Sequence, residues 1–288
     1  MAGVEGRVVA ITGAGGGIGR QHALLFAERG AKVVVNDLGG QRDGTGAGSE
    51  MADDTVKTIL DAGGEAVANY DNVATPDGGE GVVQSALDAF GRIDVVVNNA
   101  GILRDRTFHK MAGAEWDAVV KVHLYGTYYT TRAAWPRMRE QQHGRVIVTT
   151  STSGLFGNFG QANYGAAKLG VVGLINTLAR EGAKYSITAN AVAPIAATRM
   201  TDDIMPAEML EQLDPAYVSP AVVHLASDEC DDTGAVILAG GGLYAQVAYF
   251  QSPGRRFDHV PSPDEVAEHW AAITDLTDAA PGHNPLEG

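Results

Sequence analysis

Residues 12–19 read Thr12-Gly13-Ala14-Gly15-Gly16-Gly17-Ile18-Gly19, and they stand between an apolar run, RVVAI, and a helical pattern over 18–29 carrying His22, Leu24, Leu25 and Phe26. A strand that passes through glycines into a helix lets the backbone approach a pyrophosphate, and the amides of the helix N-terminus face its negative charge. A glycine-rich turn alone is a weak signal, but here it has the strand before it and the helix after it. Gly13, Gly17, Ile18 and Gly19 are therefore candidate cofactor-binding residues. Asp37 closes the next apolar run, KVVVN, about twenty residues on, where a carboxylate accepts hydrogen bonds from an adenosine ribose. The same carboxylate repels a 2′-phosphate, and the nearest arginine, Arg42, lies inside a loop, so the spacing predicts NAD over NADP.

Working outward, apolar runs alternate with helical segments to the end of the body. After RVVAI and 18–29 come KVVVN and 50–62, AVANY and 78–90, IDVVVNN and 115–140, RVIVTT and 161–182, ITANAVA, then 206–213 and 219–227, and AVILAG. Strands rich in Val and Ile without polar alternation suit a parallel sheet covered on both faces. The expected fold class is α/β, a single-domain Rossmann-type doubly wound parallel sheet over residues 1–245. Two segments break the rhythm. Residues 38–49, LGGQRDGTGAGS, are a polar excursion after the second strand, and 246–288 extend beyond the last one. In that extension Ser262 and Glu265 form a capping-box pattern, Pro263 sits at the first helical position, and Val266, Trp270 and Ile273 make an apolar stripe. One helix is expected there, packed on the body or on a partner subunit.

With 288 residues and 45% hydrophobic content, the chain can bury one large core. A formal charge of -14 gives no basic face for nucleic acid or an anionic membrane. The single Cys230 leaves no internal disulfide and no cysteine spacing for a metal, and no stretch approaches the roughly 18 apolar residues of a membrane span. The start has no signal sequence and the last residues, PLEG, are no peroxisomal signal, so the expected location is cytoplasmic.

The chemistry is concentrated in NYGAAK, where Tyr164 and Lys168 lie four residues apart on one helical face. A neighbouring cation favours the phenolate and brings a tyrosine toward useful acid/base range. Asn98-Asn99-Ala100-Gly101 end the fourth strand at the carboxyl edge of the sheet, where open α/β sheets bind ligands, and Asp71 ends the third as a candidate neighbour of adenine. Two consecutive asparagines suggest one that bridges strands and one near the cofactor, and Asn98, Ala100 and Gly101 are taken as cofactor-binding candidates.

With TGAGGGIG, Asp37, NNAG, YGAAK and Ser151 thirteen residues before Tyr164, the chain resembles the short-chain dehydrogenase/reductase family over residues 7–245. NDLGG with its glycine-rich insertion, KVHLYGTYYTTRAAW and SGLFGNFGQANYGAAK are similar to the (3R)-hydroxyacyl-CoA dehydrogenase domains of the type 2 peroxisomal multifunctional enzymes. The resemblance implies that Tyr164 is the general acid/base, that Lys168 lowers its pKa and holds the nicotinamide ribose, and that Ser151 hydrogen-bonds the substrate oxygen. It also implies a supporting catalytic role for His123, which stands where many members have Asn, and cofactor contacts from Pro194 and Thr198, with Ile195 replacing a more usual Gly. The expected reaction is NAD-linked interconversion of a 3-hydroxyacyl-CoA and its 3-oxoacyl-CoA. A free steroid or other hydrophobic alcohol is the alternative substrate, for which Met200, Met205 and Met209 would suit a bulky apolar group. From another class, a catalytically silent NAD-binding scaffold remains open. The expected assembly is a homodimer or homotetramer pairing the Tyr128–Trp135 and Tyr164–Lys168 helices. Ala166, Ala167, Gly170 and Gly173 would face the partner there, while Leu169, Val172 and Leu178 serve the sheet.

Overall fold

The structure, a computed structural model, describes residues 3–196 and 213–283. The chain divides into two compact units, 1–245 and 246–288.

In the first unit, eight strands form one sheet in the order β3-β2-β1-β4-β5-β6-β7-β8. β1 (Val8–Thr12) pairs in parallel with β2 (Lys32–Asn36) on one side and β4 (Val95–Asn98) on the other. β2 pairs in parallel with β3 (Glu65–Asn69), and the far half runs in parallel through β5 (Gly144–Thr149), β6 (Ile187–Pro194) and β7 (Val236–Gly240). The order reverses at β1/β4, which opens a crevice at the carboxyl ends of these strands. Every residue of β1 and β4 is buried, as unalternating Val and Ile runs require when helices cover both faces. Ile11, Val33, Val97 and Ile147 pack with Phe26 of α1 (Gly17–Glu28) in the principal core.

At the opposite edge, fully buried Asp94 ties the amino ends of the strands. It accepts the Val8 amide at 2.9 Å and two bonds from Arg92 at 2.9 and 2.6 Å, and it lies 3.6 Å from Arg7. A buried carboxylate persists only when it is partnered in this way.

α2 (Glu50–Asp61), α3 (Pro76–Phe90) and α7 (Ala162–Gly182) lie where the helical periodicity places them. The long helix expected over 115–140 is interrupted. α4 (Gly113–Val120) and α5 (Gly126–Gln141) are joined by a π-helical turn, Lys121–Tyr125, and the extra residue in that turn rotates His123 inward to a buried position. Two further elements had no strong pattern of their own, the short α6 (Thr152–Phe156), capped by Ser151, and β8 (Leu243–Val247), whereas α8 (Ser219–Ala226) lies where a helix was expected at 219–227. β8 turns back along β7 through Gly241 and Gly242, both at positive φ, which glycine adopts without penalty. The helix expected at 206–213, with Met200, Met205, Met209 and Thr198, lies outside the described residues except for its final position.

In the second unit, β9 (Phe250–Gln251) pairs antiparallel with β10 (Ala280–Pro281). The Ser262–Glu265 capping box is formed, with the Ser262 amide donating to Glu265 at 2.9 Å. Instead of one helix there are two, α9 (Pro263–Glu268) and α10 (Trp270–Thr274), separated at His269, and Trp270 is 58% exposed. No helix among the described residues is long and apolar enough to cross a membrane.

Candidate active site

A cavity of about 620 Å³ opens at the carboxyl ends of the central strands. Its floor is the glycine turn between β1 and α1. Gly13 has φ +66 and an added Cβ would fall 2.8 Å from Ala100 Cα, while one on Gly19 would fall 2.1 Å from Gly13 O. Only glycine permits these approaches. Thr12 Oγ1 accepts the amides of Asn99 and Ala100, both at 3.0 Å, and Asn99 Nδ2 returns bonds to Thr12 O at 3.0 Å and Gly13 O at 3.1 Å. Four hydrogen bonds thus lock the turn to the end of β4. Of the two asparagines it is Asn99 that lines the cavity, together with Ala100 and Gly101. Asn98, expected at the cofactor, is instead buried on the other side of the strand, where its Nδ2 donates to Thr131 Oγ1 of α5 at 3.0 Å. Alternation along β4 sends neighbouring side chains to opposite faces, so only one of the pair could face the crevice.

At one end of the cavity, Asp37 accepts the Gly15 amide at 2.9 Å and the Gly39 amide at 2.8 Å. Asp71 also lines the cavity and accepts from Asn69 Nδ2 at 2.7 Å. Gly17, at φ +51 on the cavity wall, has no atom of the described residues within 4 Å of an added Cβ, so a side chain there would enter the cavity. An open turn at a helix N-terminus with a carboxylate at the end of β2 fits a dinucleotide.

The other end gathers the reactive groups. α7 presents Tyr164 and Lys168 on one face, with Lys168 Nζ 5.6 Å from the phenol ring centre and donating to Thr149 O at 2.5 Å. Gly154 of α6 lets α7 approach, because a Cβ there would lie 2.7 Å from Lys168 Cβ. Ser151 lines the same space, and its hydroxyl accepts the Ser153 amide at 3.1 Å. His123 meets the Tyr164 ring edge-on, centroids 5.1 Å apart at 89°. Its Nε2 lies 3.0 Å from Ile102 N and 2.8 Å from Ile102 O, and its buried Nδ1 has no partner among the described residues. Gly101 is required here, since a Cβ would reach within 2.4 Å of His123 Cε1. Pro194 and Ile195 complete the wall, held by the Ile195 amide bonded to Ala239 O at 2.8 Å.

Burial sets the electrostatics. It pushes the Lys168 ammonium down to about 7, and it holds His123 well below the usual imidazole range, with the Lys168 charge adding to the effect, so His123 is neutral. For the Tyr164 phenol, burial opposes the lowering of the pKa expected from Lys168. Burial raises it, Ser151 pulls it partly back, and the Asp105 charge pushes it up.

Among the positions the residue types did not single out are Thr12, which orders the turn, and Asn163, whose buried amide donates to Arg104 O at 3.0 Å and Glu115 O at 3.2 Å and so sets the start of α7. A TG pair at a strand end and an Asn directly before Tyr164 were the available signals.

Residues 7–208 match the short chain dehydrogenase family. A short-chain type dehydrogenase/reductase of Mycobacterium tuberculosis is 63% identical over 279 residues, covering 97% of this chain and 98% of that protein. The peroxisomal multifunctional enzyme type 2 of Mus musculus is 50% identical over 279 residues, covering 96% of this chain, and the chain spans 38% of that enzyme's length. The crystal structure of a short chain dehydrogenase from Mycobacterium avium superposes with a TM-score of 0.83 at 43% identity, covering 96% of this chain and 97% of that one. These likenesses join a site shaped for a nicotinamide dinucleotide beside a tyrosine, a serine and a lysine: the chain belongs to the short-chain dehydrogenase/reductase family of oxidoreductases.

Proposed function

We propose that the protein is an NAD-dependent dehydrogenase that interconverts a (3R)-3-hydroxyacyl-CoA and its 3-oxoacyl-CoA. The observation that carries this reading is the convergence of Tyr164, Ser151 and Lys168 at one end of a cavity whose other end presents Asp37. When bound, the nicotinamide supplies or accepts the hydride. In the reductive direction Ser151 Oγ donates a hydrogen bond to the substrate carbonyl, and Tyr164 gives its phenolic proton to that oxygen as it becomes an alcohol. Lys168 holds the nicotinamide ribose and offsets the phenolate left behind. His123, neutral and edge-on to the phenol, restrains the ring. Oxidation runs the same transfers backward, with Tyr164 as the base.

Asp37 supports NAD, because a carboxylate held at the end of β2 by the Gly15 and Gly39 amides suits a ribose hydroxyl and repels a 2′-phosphate. Support for a CoA thioester over a free steroid comes from Arg104 and Lys121, cations lining the cavity of a chain whose formal charge is -14. The resemblance of the π-turn sequence KVHLYG to (3R)-hydroxyacyl-CoA dehydrogenase domains points the same way.

For assembly, we propose a homodimer through α5 and α7. The exposed face differs in detail from the sequence expectation. Ala167 is buried in the subunit, Gly170 faces Leu124 and Leu169 is 42% exposed, whereas Val172 is buried and Gly173 is open among the described residues, as expected. Tyr125 and Tyr128 add exposed aromatic area beside them.

A panel of 3-hydroxyacyl-CoA thioesters of both configurations and free hydroxysteroids, each offered with NAD and NADP, tests the assignment through the appearance of reduced cofactor. The (3R)-thioesters with NAD are expected to give the highest kcat/KM, and turnover confined to free steroids, or a preference for NADP, would contradict it. Light scattering behind size exclusion is expected to give twice the 30.0 kDa chain mass or more, and a monomer at micromolar concentration would contradict the dimer.

Lys168 also predicts a pH dependence. Its folded pKa of about 7 lies below the unfolded value of 10.5, so the unfolded chain binds more protons between these values and stability rises with pH across that window. The cost of burying the ammonium is fully present below pH 7. Lys168→Met is therefore expected to stabilise the cofactor-free protein near pH 6–7 by on the order of 1–3 kcal/mol, with the advantage fading toward pH 10, while abolishing turnover. Chemical denaturation across this range measures it, and a variant less stable than wild type at pH 6 would refute the burial cost.

A further inference from the structure

The glycine-rich excursion at 38–48 is an ordered closed loop. Its ends are joined by the Gly48 amide donating to Leu38 O at 2.9 Å, and its middle by Gln41 N to Thr45 O at 2.7 Å and Gly44 N to Gln41 O at 2.9 Å. Asp43 braces the tip by accepting from both the amide and the hydroxyl of Thr45, at 2.9 and 2.7 Å. Gly39, Gly44 and Gly46 all have positive φ, and at Gly39 an added Cβ would fall 2.1 Å from Gly48 O, so the glycines serve a tight fold and not looseness.

The loop is also tied at both ends of its reach. Its base is held by Asp37, which accepts the Gly39 amide and the Gly15 amide of the phosphate turn. Its tip touches the segment after β4. The Leu103 amide donates to Arg42 O at 3.0 Å, Arg104 Nε donates to Asp43 O at 2.9 Å, and a Cβ on Gly44 would lie 3.0 Å from Ile102 Cδ1. Gln41, Arg42 and Gly44 from the loop, and Ile102 and Leu103 from the opposite side, all line the main cavity. The loop therefore runs from the end of β2 to the end of β4, spanning the crevice in which the cofactor's ribose and pyrophosphate lie by the reading above.

We propose that residues 38–48 form part of the dinucleotide site, as a strap across its adenosine half whose ties to Leu103 and Arg104 govern how fast the cofactor leaves. Release requires the tip to lift, breaking the Leu103–Arg42 and Arg104–Asp43 bonds. An element held by a few part-exposed hydrogen bonds opens locally at low cost, which suits a gate on cofactor exchange. The inference rests on the nicotinamide-cofactor reading.

The test is the dissociation rate of NADH from the binary complex, followed by stopped-flow displacement without substrate. Residues 41–45 can be removed and Gly40 joined to Gly46, since a Cβ on Gly40 would already lie 3.3 Å from Gly46 O. In the full chain this deletion is expected to speed NADH dissociation at least about tenfold, the factor worth one to two net hydrogen bonds. Arg104→Met, which keeps the stem and removes one tie, is expected to speed it roughly threefold or more, and it decides the matter alone if the deletion does not fold. A rate unchanged in a folded variant overturns the strap while leaving the cofactor reading intact. Failure of the intact chain to bind NADH or NADPH overturns both.

Discussion

The site depends on how closely β1 and β4 end together. Thr12 and Gly13 share four hydrogen bonds with Asn99 and Ala100 across the strand order's reversal, and Gly13 presses against Ala100 where no side chain fits. That contact fixes both halves of the cavity. On one side it sets the phosphate turn and the start of α1, with Asp37 bonded back to Gly15. On the other it sets Gly101, whose missing side chain leaves room for the His123 ring, which in turn meets Tyr164. A lateral slip at the β1/β4 junction would move the cofactor turn and the phenol together.

The catalytic end is held in a state that is costly for the folded protein. Among the described residues, buried Lys168 has one carbonyl as its hydrogen-bonding partner and a buried ring nitrogen of His123 has none, and burial pushes the phenol of Tyr164 away from ionisation. Groups arranged this way lose less when a polar ligand arrives than they would in a satisfied core, because the desolvation has already occurred during folding. The surrounding sheet supplies the compensation, through fully buried Val and Ile strands and the Asp94 ties at the opposite edge.

Most of the body was legible in the sequence because its signals are local. The unalternating strands, the glycine turn with Asp37 behind it, and the i, i+4 pair on α7 each depend on neighbours a few residues away. What stayed hidden depends on partners far along the chain. The choice between Asn98 and Asn99 is made by strand phase at β4, and the inward turn of His123 by a π-helical residue that ordinary helical periodicity does not predict. The i, i+4 spacing shows that Lys168 is close to Tyr164 but not that both groups are desolvated and that the ammonium donates to Thr149 O. From composition the segment 38–49 is only a polar, glycine-rich excursion, and its ties to Asp37, Leu103 and Arg104 reveal its order.

The central claim is that Tyr164 is the group that moves the proton in an alcohol–ketone interconversion. Tyr164→Phe removes one hydroxyl and leaves the ring against His123, so it should leave NADH affinity within about twofold while lowering kcat on the best substrate by roughly a hundredfold to ten-thousandfold. Parallel measurement of NADH binding and of kcat on that variant tests the account most directly. A variant that binds NADH and retains more than about a tenth of wild-type kcat would contradict it, because general acid/base help of this kind is worth at least that loss.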